Sequence, residues 1–170
     1  MTPISSYQQR FVYSSFRERY YTETNQFPKF SNFNFTSTTG FDRYDATYEV
    51  AGKPVLAEFK IRDCASTQYP TAMIEIEKYD FLVAEAKKTG RAAIFQCYYT
   101  DGIVLFFNLS KMPKPEAQNA VRTKSTMAAN SGRRNSPYYA LPVEAALKFR
   151  YKIPSEAEIQ KEFYQQYTVV

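Results

Sequence analysis

Residues 40–63 read GFDRYDATYEVAGKPVLAEFKIRD, and this stretch decides the fold. Two β-like runs, FDRYDATYEV (41–50) and VLAEFKIR (55–62), flank the turn signal AGKP, which predicts a hairpin. In the second run Val55, Ala57, Phe59 and Ile61 fall on one face, and Leu56, Glu58, Lys60 and Arg62 on the other. One face is apolar; the other carries a carboxylate and two cations. Period-two geometry sets Glu58 beside Lys60, and a hairpin lets Asp45 sit across from Glu58. Two carboxylates within a few ångströms repel each other unless a cation lies between them. A divalent ion satisfied by Asp45, Glu58, a backbone carbonyl and waters removes the conflict. Asp42 competes for the first position, but its place just after Gly40 suits a turn residue, so Asp45 is preferred.

The composition narrows the chemistry further. The 170 residues contain no histidine, which removes Ser-His-Asp and Cys-His catalysis and imidazole ligation of zinc or iron. Only Cys64 and Cys97 are present, so neither a disulfide framework nor a four-cysteine zinc site can form. Any metal site is therefore oxygen-rich, which favours Mg²⁺ or Mn²⁺. An ammonium such as Lys60 beside it can orient a nucleophile and offset negative charge in a transition state.

Working outward, 5–23 reads as a helix, with Tyr7, Phe11, Val12, Phe16 and Tyr20 at three- and four-residue steps. Segment 24–40 reads as an aromatic, Asn/Thr-rich loop whose four Phe residues anchor it to the body. A second helix is expected over about 71–88, burying Ile74, Phe81, Leu82 and Ala86 and ending at Gly90. Runs 91–100 and 103–109 flank Asp101-Gly102, a hairpin signal, with Cys97 expected as a buried, unreactive thiol. A short strand (138–142), an Ala-rich helical turn and a C-terminal helix from about 154 to 167 complete a single domain spanning 1–170.

Segment 111–137 lacks apolar periodicity and carries Lys111, Lys114, Arg122, Lys124, Arg133 and Arg134 against Glu116 alone. It thus accounts for the whole net charge of +5. Two readings stand side by side: a solvated loop-like excursion, or an arm that contacts the phosphates of a nucleic acid. No run approaches the ~20 apolar residues a membrane span needs. The N-terminal residues lack a secretory pattern, so a cytoplasmic protein with no membrane partner is expected.

An Asp followed thirteen residues later by Glu-x-Lys is a weak pattern taken alone, matched by a half-exposed hairpin with a cross-strand charge pair. The order helix, strand with Asp, strand with Glu-x-Lys, helix, strand, strand gives it context. Over about residues 5–109, on GFDRYDATYEV, KPVLAEFKIRD, IEIEKYDFLVAEAKKTG and AAIFQCYY, the chain resembles the PD-(D/E)XK nuclease superfamily. The resemblance implies an α+β fold: an αβββαβ restriction-endonuclease-like mixed sheet flanked by helices, with a basic loop insertion and a C-terminal helix. It also implies that Asp45 and Glu58 hold Mg²⁺ and that Lys60 assists attack of water on a phosphodiester. The family's Pro before the acid is replaced here by Tyr44, a common departure. The family often adds a polar residue on the following helix; Lys78 stands at about that position, with an exposed ion pair to Glu75 as the plainer reading. Some members add a Glu from the first helix, for which Glu18 and Glu23 are candidates, although a helical wheel sets Glu18 opposite the Val12/Phe16 face.

The resemblance therefore implies a Mg²⁺-dependent nuclease acting on DNA, of a structure-directed kind such as a junction resolvase or a repair or phage recombination nuclease. Junction resolvases of this fold work as dimers, so a homodimer is compatible with it. The alternatives are a non-catalytic nucleic-acid-binding module on the same fold, and an interaction protein using its tyrosine-rich surface.

Overall fold

A computed structural model describes residues 1–25, 27–123 and 133–170, the side chains of residues 122, 123, 133 and 134 aside. The elements in chain order are β1 (Thr2–Ile4), α1 (Gln9–Thr24), β2 (Phe30–Phe35), β3 (Ala46–Val50), β4 (Lys53–Arg62), β5 (Thr71–Glu75), α2 (Ile76–Lys88), β6 (Ala92–Tyr99), β7 (Ile103–Asn108), β8 (Ala117–Thr123), β9 (Arg133–Pro142), β10 (Leu147–Arg150), α3 (Glu156–Gln166) and β11 (Tyr167–Val169). A short 3₁₀ turn, Val143–Ala145, precedes β10.

A six-stranded mixed sheet runs in the order β10-β7-β6-β4-β3-β2. Only β4 and β6 are parallel within it, joined by the crossover through β5 and α2; the other pairs are antiparallel. Alternation along the central strands sends side chains into two cores, as a sheet covered on both faces requires. Val55, Ala57, Phe59, Tyr98, Val104 and Phe106 pack beneath α1 and α3, against Val12, Phe16, Ile159 and Phe163. Leu56, Phe95, Cys97, Leu105 and Phe107 pack on the other side with Leu82 and Ala86 of α2 and with Ile74 and Leu141. The α+β architecture, a mixed sheet flanked by helices, agrees with the arrangement expected from the sequence.

The hairpin at 46–62 forms as read, closed by Ala51 and Gly52 at φ 50° and 75°. Positive φ at both loop positions gives a turn whose twist matches the strands. The first strand starts later than expected, at Ala46 rather than residue 41, so Asp45 lies just before it. Its backbone is nonetheless paired on both sides: Asp45 N donates to Ala57 O at 2.9 Å, and Asp45 O accepts from Thr36 N at 2.8 Å. Asp42 is a loop residue, its carboxylate accepting from Ser37 N at 3.1 Å.

Three other expectations change. The segment read as a loop over 24–40 contains β2, paired with β3; its phenylalanines do anchor it, with Phe27 buried and Phe30, Phe33 and Phe35 packed on the core. The helix expected over 71–88 divides, because TAMIE pairs antiparallel with β9 and only 76–88 is helical. The segment expected to be loop-like at 111–137 contributes β8 and the start of β9, a ribbon joined to β5 in a separate three-stranded sheet. Its strands are held by backbone pairing rather than apolar burial, with Val121 left 61% exposed, so hydrophobic periodicity could not reveal them. The remaining helices shift modestly, α1 to 9–24 and α3 to 156–166, the latter closed by a Ser155–Glu158 capping box.

Candidate active site

β3 pairs with β4 only as far as the Ala46–Ala57 step, whereas β4 continues to Arg62 alongside β6. The far half of β4 therefore has an open edge on the β3 side. At its start Phe59 N, with no strand partner there, donates to Asp45 Oδ2 at 2.6 Å. The Asp45 side chain thus continues the ladder that its strand abandons, and is held in place by doing so.

A pocket of about 190 Å³ opens at this edge, and Glu18, Asp45, Glu58, Lys60 and Lys78 all line it. Asp45 and Glu58 share the pocket, as the hairpin reading required. Lys60 Nζ lies 3.0 Å from Glu18 Oε1, and Lys78 Nζ lies 3.0 Å from Glu58 Oε2. Lys78 also donates to the Arg43 carbonyl at 3.2 Å, tying α2 to the loop before β3. Lys78 is thereby brought to Glu58.

Glu18 lies away from the Val12/Phe16 face, as the wheel has it, and is nonetheless buried, because that side of the helix lines the pocket. Helix α1 packs on α3 and the core along Val12 and Phe16 and turns another side, Phe11, Ser14, Ser15 and Glu18, to the pocket, where Glu18 alone of the four is buried. The small polar pair Ser14-Ser15 one turn before Glu18 is the sequence signal for this second face. Glu23 instead pairs with Arg19 at 2.8 Å.

The acids are electrostatically crowded. Burial first, then the Glu18 charge, pushes the Asp45 carboxyl up to about 6, against the lowering effect of Phe59 N–H and the two lysines. Burial and the neighbouring Asp45 charge hold Glu58 well above the ordinary carboxylate range, despite Lys78. Glu18 raises the Lys60 ammonium, outweighing burial. Among the described residues no three His, Cys, Asp or Glu side chains converge closely enough to form a metal cluster by themselves. The available donors are carboxylate oxygens, and two of them disfavour being charged together. That set fits a hard divalent ion held by Asp45 and Glu58 with backbone oxygen and water, and fits no nitrogen- or sulfur-seeking metal. Cys97 is fully buried, its thiol pushed up to about 12 mainly by burial, in keeping with an inert role.

The expected nucleic-acid contacts are spread more widely. Lys111 is exposed just after β7. Lys114 is exposed but bonded to Asp80 at 2.8 Å, with its ammonium over the Tyr139 ring. Arg122 and Arg134 are backbone partners across the β8–β9 ribbon, with Arg133 next to them. Lys124 lies outside the described residues. No helix among the described residues is long and apolar enough to cross a membrane.

Fold and pocket together define an α+β chain whose mixed sheet carries an acid-and-lysine pocket at the open edge of its central hairpin. Among solved structures, that of Hjc, a Holliday junction resolvase from the archaeal hyperthermophile Archaeoglobus fulgidus, is similar at a TM-score of 0.43 and 13% identity, covering 79% of this chain and 88% of that one. No protein-family model matches the chain, and no curated protein sequence matches it.

Proposed function

We propose that the protein is a Mg²⁺-dependent nuclease of PD-(D/E)XK type that hydrolyses phosphodiester bonds in DNA, acting in repair or recombination on a structure rather than a sequence. The observation that carries this reading is the convergence of Asp45, Glu58 and Lys60 in one pocket, with Lys78 and Glu18 completing its walls. Asp45 and Glu58 are the residues that would hold the ion. Bound there, Mg²⁺ (or Mn²⁺) supplies Lewis-acid stabilisation of the attacked phosphate and a more acidic water.

The protein's own groups do the rest. Asp45 is oriented by Phe59 N–H, so its carboxylate does not have to be ordered when substrate arrives. Lys60, kept protonated by Glu18, places a positive charge where the phosphate gains negative charge in the transition state. Lys78, 3.0 Å from Glu58 Oε2, offsets the Glu58 charge and is a second ammonium in the pocket that would face a phosphate bound there. The cations of 111–137 would hold the substrate backbone, giving sequence-independent, salt-sensitive affinity. An assembly of two copies suits a substrate with two strands to cut.

A binding module without catalysis is the second reading, favoured by the fact that Lys78 and Lys60 already partner two of the pocket's acids. Labelled branched, single-stranded and duplex DNA, each incubated with Mg²⁺ and with EDTA, separates the two. The nuclease reading expects cleavage that needs Mg²⁺ and falls by about 10²–10³ or more in Glu58→Ala and Lys60→Ala. Tight binding with no cleavage under Mg²⁺ or Mn²⁺ replaces it with the module.

A further inference from the structure

A pocket of about 350 Å³ lies beyond the acidic site and has no part in the hydrolysis outlined above. Arg62, Cys64, Met73, Tyr69, Tyr99 and Tyr138 line it, so its walls are aromatic with one guanidinium. A groove of about 280 Å³ lined by Glu58, Lys60, Arg62, Met73 and Lys78 connects the two. Arg62 and Met73 line both this groove and the aromatic pocket, and Glu58, Lys60 and Lys78 line both the groove and the acidic site. The three spaces therefore form one track.

The spacing along that track follows from the strand. Glu58, Lys60 and Arg62 share one face of β4, and alternate residues of a strand are about 6.6–6.8 Å apart. That step resembles the separation of successive phosphates in an extended nucleic-acid strand. A phosphate at Lys60 thus puts its neighbour at Arg62. One arm of the Arg62 guanidinium donates to the Met73 carbonyl, which fixes the charge at the boundary between groove and pocket. Beyond it stand Tyr69, 59% exposed with its hydroxyl accepting from Gln68 Nε2 at 3.0 Å, and Tyr138, half-buried with its hydroxyl donating to Gln118 Oε1 at 2.9 Å. Tyrosines tethered at their hydroxyls present π-faces at low entropic cost, and every nucleobase can stack on them.

We propose that this aromatic pocket receives one unstacked nucleobase of the DNA strand whose backbone passes from the acidic pair over Lys60 to Arg62, so that the protein selects DNA offering an unpaired base beside the cleaved phosphate. The inference rests on the nuclease reading and names its substrate class. In a continuous duplex that base must first be unpaired and unstacked at a cost in free energy; at a branch, flap or single strand it is already available.

The test is binding of a short single-stranded oligonucleotide and of its duplex by fluorescence anisotropy in EDTA, for wild type, Tyr69→Ala/Tyr138→Ala and Tyr69→Phe/Tyr138→Phe. The alanine pair should lose about 5- to 150-fold on the single strand, the equivalent of one stacked base, with no comparable loss on duplex. The phenylalanine pair, which keeps the rings and loses only the hydroxyl tethers, should bind the single strand far more tightly than the alanine pair. Scanning one abasic position along the strand should find a single site that weakens wild type and leaves the alanine pair unaffected. Equal single-strand affinity in wild type and the alanine pair, or equal losses on both DNAs, overturns the proposal. Should the alanine pair not fold, Tyr69→Ala alone, at an exposed position, is read by the same abasic scan. Cleavage that needs Mg²⁺ and Glu58, together with tyrosine-independent binding, removes this pocket and keeps the nuclease. Tyrosine-dependent binding without cleavage does the reverse.

Discussion

At the scale of single residues the dominant fact is that Asp45 and Glu58 are held where charge is unwelcome. The Asp45 carboxyl stands at about 6 against an ordinary 3.8, so between those values the folded chain binds a proton that the unfolded chain has released. Stability of the metal-free protein therefore falls as pH rises through this window, and the penalty is complete above about 6. Asn at this position can still accept from Phe59 N–H and carries no charge. Asp45→Asn is accordingly expected to raise the melting temperature in EDTA at pH 7.5, with the gain shrinking toward pH 4. Mg²⁺ should raise the wild-type melting temperature at pH 7.5 and raise that of the variant much less. A variant that melts earlier than wild type at pH 7.5 in EDTA contradicts this account.

At the scale of elements, the turn and the helix–sheet joint each make a specific demand. Ala51 adopts φ 50° where the tight β3–β4 turn needs a left-handed residue, a conformation costing an L side chain roughly 1–2 kcal/mol. Ala51→Gly is expected to stabilise the fold by about 1 kcal/mol in urea denaturation, and no gain would show that the turn is unstrained. Helix α1 is joined to the sheet by a buried polar relay. Tyr48 Oη donates to Gln96 Oε1 at 2.9 Å, Gln96 Nε2 donates to Tyr98 Oη at 2.6 Å, and Tyr98 Oη lies 2.8 Å from Thr22 Oγ1. Because the Thr22 hydroxyl donates to the Glu18 carbonyl at 3.2 Å, the Tyr98 hydroxyl is the donor to Thr22. The relay ends at the backbone carbonyl of Glu18, whose carboxylate pairs with Lys60. Gln96→Ala strips partners from two buried tyrosines and leaves a void, so a loss of about 2–4 kcal/mol is expected by denaturation. A loss under about 0.5 kcal/mol would mean the relay does not secure α1.

At the scale of the whole molecule, the site is an opening left where one strand stops and its neighbour continues, with a second sheet extending away from it. The β5-β9-β8 sheet contributes Thr71, Met73 and Tyr138 to the aromatic pocket and carries Arg122, Arg133 and Arg134 on its ribbon. If that ribbon holds substrate, Arg133→Ala/Arg134→Ala should weaken DNA binding and flatten its salt dependence by up to ~2 in the log–log slope. Unchanged affinity across a salt series retires the ribbon as a DNA contact.

Much of this was legible in the residues, and the exceptions share a cause. The alternation of Val55 to Arg62, the Asp101-Gly102 turn and the spacing of Asp45 to Glu58 are local patterns, and local geometry suffices to realise them. β2, β5 and β8 were not legible: TAMIE and AQNAVRT become strands because β9 arrives to pair with them, and no periodicity within either segment records that partner, which for TAMIE lies more than sixty residues along the chain. Glu18 was obscured for the same reason, since a helical wheel tells which side a residue faces and not which distant segment meets it there. By itself the sequence determined that two acids and a lysine share one hairpin, because side-chain direction along a strand has a period of two. Tertiary structure alone decided what meets them there, because α1 and α2 reach the open edge of β4 only after the sheet has brought distant segments together.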